Sequence, residues 1–223
     1  MKNSKNSNLP VVRTRYGLLS GVVGIVVNIL LCGVKFVVGS VTNSIAISVD
    51  AVNNLSDAGS SIVSLLGFKF AGKPADEEHP FGHGRIEYLS ALIVSFIILL
   101  MGFEAAKTSI VKILNPEDVR FSVLSASVLS VTMAVKLWLA FFYKNIDKRI
   151  DSPAVKALVV DSLSDIAATG ATLTVLIVSL FSTVHIDGYI GLIVAVFIFS
   201  SGIGIIKSTI GPLLGEPPEE AFV

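Results

Sequence analysis

Asn53-Asn-Leu-Ser-Asp57 and Asp161-Ser-Leu-Ser-Asp165 are two polar patches set inside long apolar runs, and their reading decides the fold. In each patch the outer polar residues are four apart, so on a helix both side chains project from one face, a turn apart. The surrounding runs, residues 43–71 and 153–182, exceed the ~20 residues a helix needs to cross ~30 Å of hydrocarbon. An ionised Asp in mid-bilayer costs roughly 3 kcal/mol on insertion scales, so a chain that retains three of them uses them. Asn53 and Asp57 on one membrane helix, with Asp161 and Asp165 on another, offer four oxygen ligands and read as a divalent-cation site.

Composition agrees with a membrane class. Hydrophobic residues make up 52% of the 223 positions and charged residues only 15%, too apolar for a soluble domain. Seventeen Lys and Arg balance seventeen Asp and Glu, so charge argues against a nucleic-acid partner. The single cysteine, Cys32, lies in an apolar run, cannot form an intrachain disulfide and reads as a packing residue. Residues 1–15 do not read as a signal peptide, because their basic stretch leads into a full-length span.

The expected fold is an all-α membrane protein, a six-transmembrane-helix bundle with spans near 17–39, 43–71, 86–113, 119–143, 153–182 and 187–213. Breaks fall at Gly39–Asn43, Gly72-Lys73-Pro74, Asn115-Pro116, Asp151-Ser152-Pro153 and Asp187-Gly188. Pro153 suits the first turn of the fifth helix, with Ser152 or Asp151 as its cap. With the N-terminus in the cytoplasm, twelve basic residues fall at the inner boundary and three (Lys107, Lys112, Arg120) outside; Lys35 and Lys136 lie within spans. That bias places both termini in the cytoplasm. The domain reading is 1–16 as a cytoplasmic N-terminal segment, 17–213 as the six-helix domain and 214–223 as the start of a linker.

This topology makes the second and fifth helices antiparallel, so Asn53 lies at the depth of Asp165 and Asp57 at that of Asp161. Asp50 shares their face, either as an outer step on the ion path or as a polar cap bonded to a neighbouring helix. Asn54, Ser56, Ser60, Ser61, Ser64, Ser162 and Ser164 read as interhelical glue. Lys35 and Lys136 read as partners of carboxylates or as snorkelling chains. Glu104 reads as reaching the interface.

The loop Pro74-Ala-Asp-Glu-Glu-His-Pro-Phe-Gly-His-Gly-Arg85 gathers His79, His83, Asp76, Glu77 and Glu78 on the cytoplasmic side. Imidazole and carboxylate so close suit a first-row divalent metal. A solvated charged loop with incidental histidines fits the spacing equally well. His185 reads as incidental.

The runs Gly39-Ser-Val41, Asp50-Ala-Val-Asn-Asn-Leu-Ser-Asp57, His79-Pro-Phe-Gly-His-Gly-Arg-Ile-Glu87 and Asp161-Ser-Leu-Ser-Asp165 together resemble the cation diffusion facilitator family over essentially the whole chain. That resemblance implies export of divalent metals from the cytoplasm in exchange for protons, by a homodimer. It implies a transport site at Asn53, Asp57, Asp161 and Asp165, and a second, cytoplasmic-loop site at Asp76, His79 and His83. Zinc-selective members carry one or two histidines in the transport quartet; this chain has none there. The family's cytosolic C-terminal domain has no counterpart in the sequence, which ends about where that domain would begin.

Hard oxygens, with water filling open positions, suit manganese better than imidazole-rich sites do. The Asn-Asp/Asp-Asp set also resembles the manganese-exporting branch, so Mn2+ is the expected substrate, with Zn2+ or Fe2+ as the alternative. Magnesium sheds water reluctantly and fits less well. Because protons and metal compete for the same carboxylate oxygens, protons serve as the counter-ion without separate machinery. No cofactor and no enzymatic activity are expected, and the setting is a multi-pass protein of the plasma membrane. Two other classes also place carboxylates inside a membrane. An intramembrane aspartyl protease would show Tyr-Asp and Gly-x-Gly-Asp, and neither occurs. A passive channel with a carboxylate ring differs by lacking dependence on a proton gradient.

Overall fold

The computed structural model describes residues 10–41, 45–80, 82–116, 122–181 and 186–214. These form six helices: α1 (Pro10–Val41), α2 (Ile45–Ala71), α3 (Ile86–Leu114), α4 (Val123–Ile150), α5 (Pro153–Val178) and α6 (Asp187–Leu214). There is no strand among the described residues. Arg120 and His185 lie outside them.

Five helices are long and apolar enough to cross a membrane. The exception is α2. Its 27 residues are ample in length. What lowers its hydropathy is the polar series from Asp50 through Asn53, Asn54, Ser56, Asp57, Ser60 and Ser61 to Ser64.

Local chemistry sets the element ends. Ser152 caps α5, its hydroxyl accepting from Val155 N–H at 3.2 Å, with Pro153 in the first turn. Asp151 is instead the C-cap of α4, in the left-handed region at φ 47°. Helix α4 continues past residue 143 to Ile150 because its last turns are amphipathic. Tyr143, Ile146 and Ile150 are buried there, while Lys144, Lys148 and Arg149 are exposed.

Helix α1 starts at Pro10, well before the apolar run that begins at 17. Its early turns are held by Arg13, whose guanidinium grips the Glu87 carboxylate through two bonds of 2.8 and 2.9 Å and donates to Ile150 O at 2.7 Å. This clasp joins α1, α3 and the α4–α5 turn at the end of the bundle that carries loop 72–85.

The main packing pairs are α1 with α2 and α3 with α6. The α1–α2 approach depends on Gly17 and Gly21, where an added Cβ would sit 2.1 Å from the Phe68 ring and 2.5 Å from Leu65 Cβ. The core is lopsided. Phe68, Ala91, Leu139, Tyr143, Ile146, Ala154 and Leu158 fill the half nearer loop 72–85. The opposite half holds a cavity of about 660 Å³.

Candidate metal centre

Helix α2 supplies Asp57, which is 1% exposed, and α5 supplies Asp161, 3% exposed, with Asp165 one turn further on. One carboxylate oxygen from each of the three lies within 4.8 Å of the others. Such convergence of acidic side chains from two helices is unfavourable unless a cation is supplied.

A cation of the chain itself is there. Lys136, from α4 and 2% exposed, donates through Nζ to Asp57 Oδ2 at 2.8 Å and to Asp165 Oδ2 at 2.6 Å. Asn54 Nδ2 donates to the same Asp57 oxygen at 3.3 Å. Asp57 Oδ1, Asp161 Oδ1 and Asn54 Oδ1 are buried without a hydrogen-bond partner among the described residues. Buried polar atoms are normally paired, so these oxygens mark acceptor capacity beyond what Lys136 satisfies.

Asn53, one turn before Asp57, is exposed and lines the 660 Å³ cavity, which reaches the cluster at Asp57, Lys136 and Asp165. The cavity runs away from loop 72–85 towards Glu104, Lys112 and Asp187. Asp50 also lines it and pairs with Lys35 Nζ at 2.7 Å, which joins α2 to α1. On the other side of the cluster the polar face of α2 continues through Ser60, Ser61 and Ser64, all buried, before the apolar plug at Phe68 and Tyr143. The site is therefore accessible from one end of the bundle.

Lys136 pairs with carboxylates, as expected, but its place inside the cluster is not legible in the sequence, where it shows only as a lone lysine in the middle of an apolar span. Glu104 pairs with Lys107 at 3.7 Å, both well exposed.

In the loop, Asp76, His79 and His83 each bring one ligand atom within 4.8 Å of the others. Asp76 Oδ1 accepts from His79 N–H at 2.7 Å, which, with His83 nearby, holds its carboxyl below the usual range. His83 Nε2 lies 3.4 Å from Asp76 Oδ2, and the two imidazole centroids are 4.5 Å apart. Gly82, at φ 79°, supplies the left-handed residue that lets the two histidines fold back on each other. Glu77 and Glu78 are exposed and outside this cluster. A second cavity, of about 990 Å³, opens beside the loop, lined by Glu78, His79, Arg85 and the Arg13–Glu87 clasp. It shares no lining residue with the first.

The two clusters are physically separate, one exposed and one buried. Replacing both His79 and His83 by alanine is expected to remove any metal held by the loop and leave the buried carboxylates able to bind. Metal-to-protein ratios of the purified chain would check this, and loss of all bound metal would show that the clusters are not independent.

The cation efflux transmembrane domain matches residues 21–214. The chain is 29% identical over 201 residues to an uncharacterized transporter of Methanocaldococcus jannaschii, covering 90% of this chain and 71% of that protein. It is 25% identical over 193 residues to the manganese efflux system protein MneS of Bacillus subtilis, covering 86% and 67%. With the cation-efflux pump FieF of Cronobacter sakazakii it shares 30% identity over 198 residues, covering 87% and 66%. It thus spans about two thirds of the length of these relatives. A helical bundle with acidic side chains gathered in its interior, matched over nearly all its described length, belongs to the cation efflux transmembrane domain family.

Proposed function

We propose that this chain is the membrane-spanning part of a divalent-cation exporter, with Mn2+ as its substrate and protons as the counter-ion. The observation that carries the reading is the meeting of Asp57, Asp161 and Asp165 in the interior of the bundle, with only carboxylate oxygens on offer as ligands. In this reading α2 crosses the membrane with the other five helices and both termini are cytoplasmic. Residues 1–16 and 214–223 flank the bundle on that side. The protein works as a homodimer in the plasma membrane, and loop 72–85 carries a second metal at Asp76, His79 and His83.

The cavity then faces outward, and metal would leave through it past Asn53 and Asp50. The plug at Phe68 and Tyr143 argues against a continuous pore. Loading from the cytoplasm requires that plug to open, in an alternation between two states. Manganese is favoured over zinc by the absence of imidazole and thiolate among the convergent groups. The name of MneS, a manganese efflux protein at 25% identity, supports the same choice.

Selectivity tests the metal assignment. Asn53, one turn before Asp57 on α2, lines the same cavity as the carboxylates. Asn53→His adds a borderline-soft ligand that zinc prefers. The ratio of initial Zn2+ to Mn2+ flux in proteoliposomes, under one imposed proton gradient, is expected to rise by about tenfold, a difference of ~1.4 kcal/mol in discrimination. An unchanged ratio in an active variant would place the choice elsewhere. Flux of either metal that ignores the proton gradient would favour a channel over an exchanger.

A further inference from the structure

Among the described residues five lysines meet carboxylates, and four do so in ordinary pairs. Lys35 meets Asp50, Lys107 meets Glu104, Lys112 meets Asp187 and Lys156 meets Asp151, each lysine with one carboxylate. Lys136 is different. It is shared between Asp57 and Asp165, carboxylates of two different helices that also face Asp161.

We propose that Lys136 is a tethered counter-cation that fills the transport site when metal is absent and is displaced when metal binds. This rests on the metal-transport reading above and adds to it a residue that the metal must evict.

Geometry carries the argument. Nζ lies at 2.8 and 2.6 Å from oxygens of two of the three convergent carboxylates, so it occupies the space between them. A hard divalent ion coordinated by the same oxygens would sit about 2.0–2.6 Å from each. Both cations cannot be held there together. At a separation of ~3–4 Å, a divalent ion and an ammonium repel strongly in any medium less polar than bulk water.

A retreat is built in. Lys136 lines the 660 Å³ cavity, as does Thr132, one turn earlier on α4. Helical side chains lean towards the N-terminus of their helix, and for α4 that is the open, cavity end. Rotation of the flexible stem would carry the ammonium from the carboxylates into the cavity without moving the backbone.

A purely structural bridge would have a different signature. A bridge that assembles the site should help metal binding, so its removal should weaken affinity. A competitor should do the reverse. The displaced cation also gives the emptied site a charge partner that need not come from solution, which bears on how the unloaded carrier resets.

The test uses the full chain, reconstituted in nanodiscs and titrated with Mn2+. Lys136→Gln is expected to bind Mn2+ at least about tenfold more tightly than the unmodified protein, because no internal cation competes. Lys136→Arg is expected to bind several-fold more weakly, because a guanidinium holds two carboxylates through a rigid fork. Equal or weaker binding by Lys136→Gln, in a protein that itself binds Mn2+, would overturn the proposal. If the unmodified protein binds none of Mn2+, Zn2+ or Fe2+, the transport reading fails instead.

A second measurement needs no variant. Reaction of Lys136 with a small amine-directed reagent, read by mass spectrometry, is expected to rise several-fold on adding Mn2+ as the side chain enters the cavity. Unchanged or reduced labelling at saturating metal would also overturn displacement.

Discussion

Alanine at Asp161 is expected to abolish metal efflux from a chain that still folds. Asp57→Ala and Asp165→Ala should do the same. At an effective dielectric of 20, one unit charge at 4 Å is worth about 4 kcal/mol to a monovalent cation and more to a divalent one. Loss of one carboxylate should therefore weaken metal binding at least about a hundredfold. Asp161 gives the cleanest result, because Lys136 donates to Asp57 and Asp165 and not to it. Asp57→Asn, Asp161→Asn and Asp165→Asn preserve shape and test charge alone. Initial rates in proteoliposomes at matched protein content decide the matter, and near-normal flux in any two of the alanine variants would remove the proposed site.

Much of this arrangement is legible in the sequence for a simple reason. Four-residue spacing fixes which side chains share a helical face, and charges inside apolar runs stand out against their surroundings. The cap at Ser152 and the proline after it likewise act within one turn. Rotation of one helix against another is a different matter. A membrane helix is apolar on nearly every side, so its pattern does not say which face meets which neighbour. Asn53 and Asn54 differ by about 100° on the helix, and that separates an exposed residue from a buried one bonded to Asp57, though both line the same cavity. The position of Lys136 depends on how α4 is turned towards α2 and α5. The early start of α1 is hidden for a similar reason: Arg13 and Arg15 look like a polar flank until Glu87, 74 positions away from Arg13, is brought alongside.

That long-range clasp underlies the second large effect expected. Glu87 is 4% exposed, and its carboxylate is gripped at both oxygens by Arg13. Glu87→Ala leaves the guanidinium without its anion in a half-buried setting. The expected cost is about 2 kcal/mol, reduced from the full buried-pair value because Arg13 is partly solvated. In detergent micelles this corresponds to roughly 4–8 °C in the unfolding midpoint. Removing both residues, as Arg13→Ala with Glu87→Ala, should cost less than the two single changes added together. Strict additivity in this double-mutant cycle would mean that the clasp contributes no stabilising energy of its own. Efflux should fall as well, since the clasp joins three elements that border the plugged end.

A helix with the polar load of α2 is a poor candidate for solitary entry into a membrane during synthesis. Each of its central Asp and Asn residues raises the free energy of partitioning from the translocon into lipid. Its neighbour in sequence is among the most apolar of the set, and the two pack face to face across Gly17 and Gly21. Biogenesis is thereby tied to order of emergence. On the proposed six-span reading the first helix would wait beside the lateral gate until the second arrives, and the two would enter as a hairpin in which Lys35 meets Asp50. A glycine-to-valine change on the first helix would then act before folding is complete, as a defect in membrane integration of its partner.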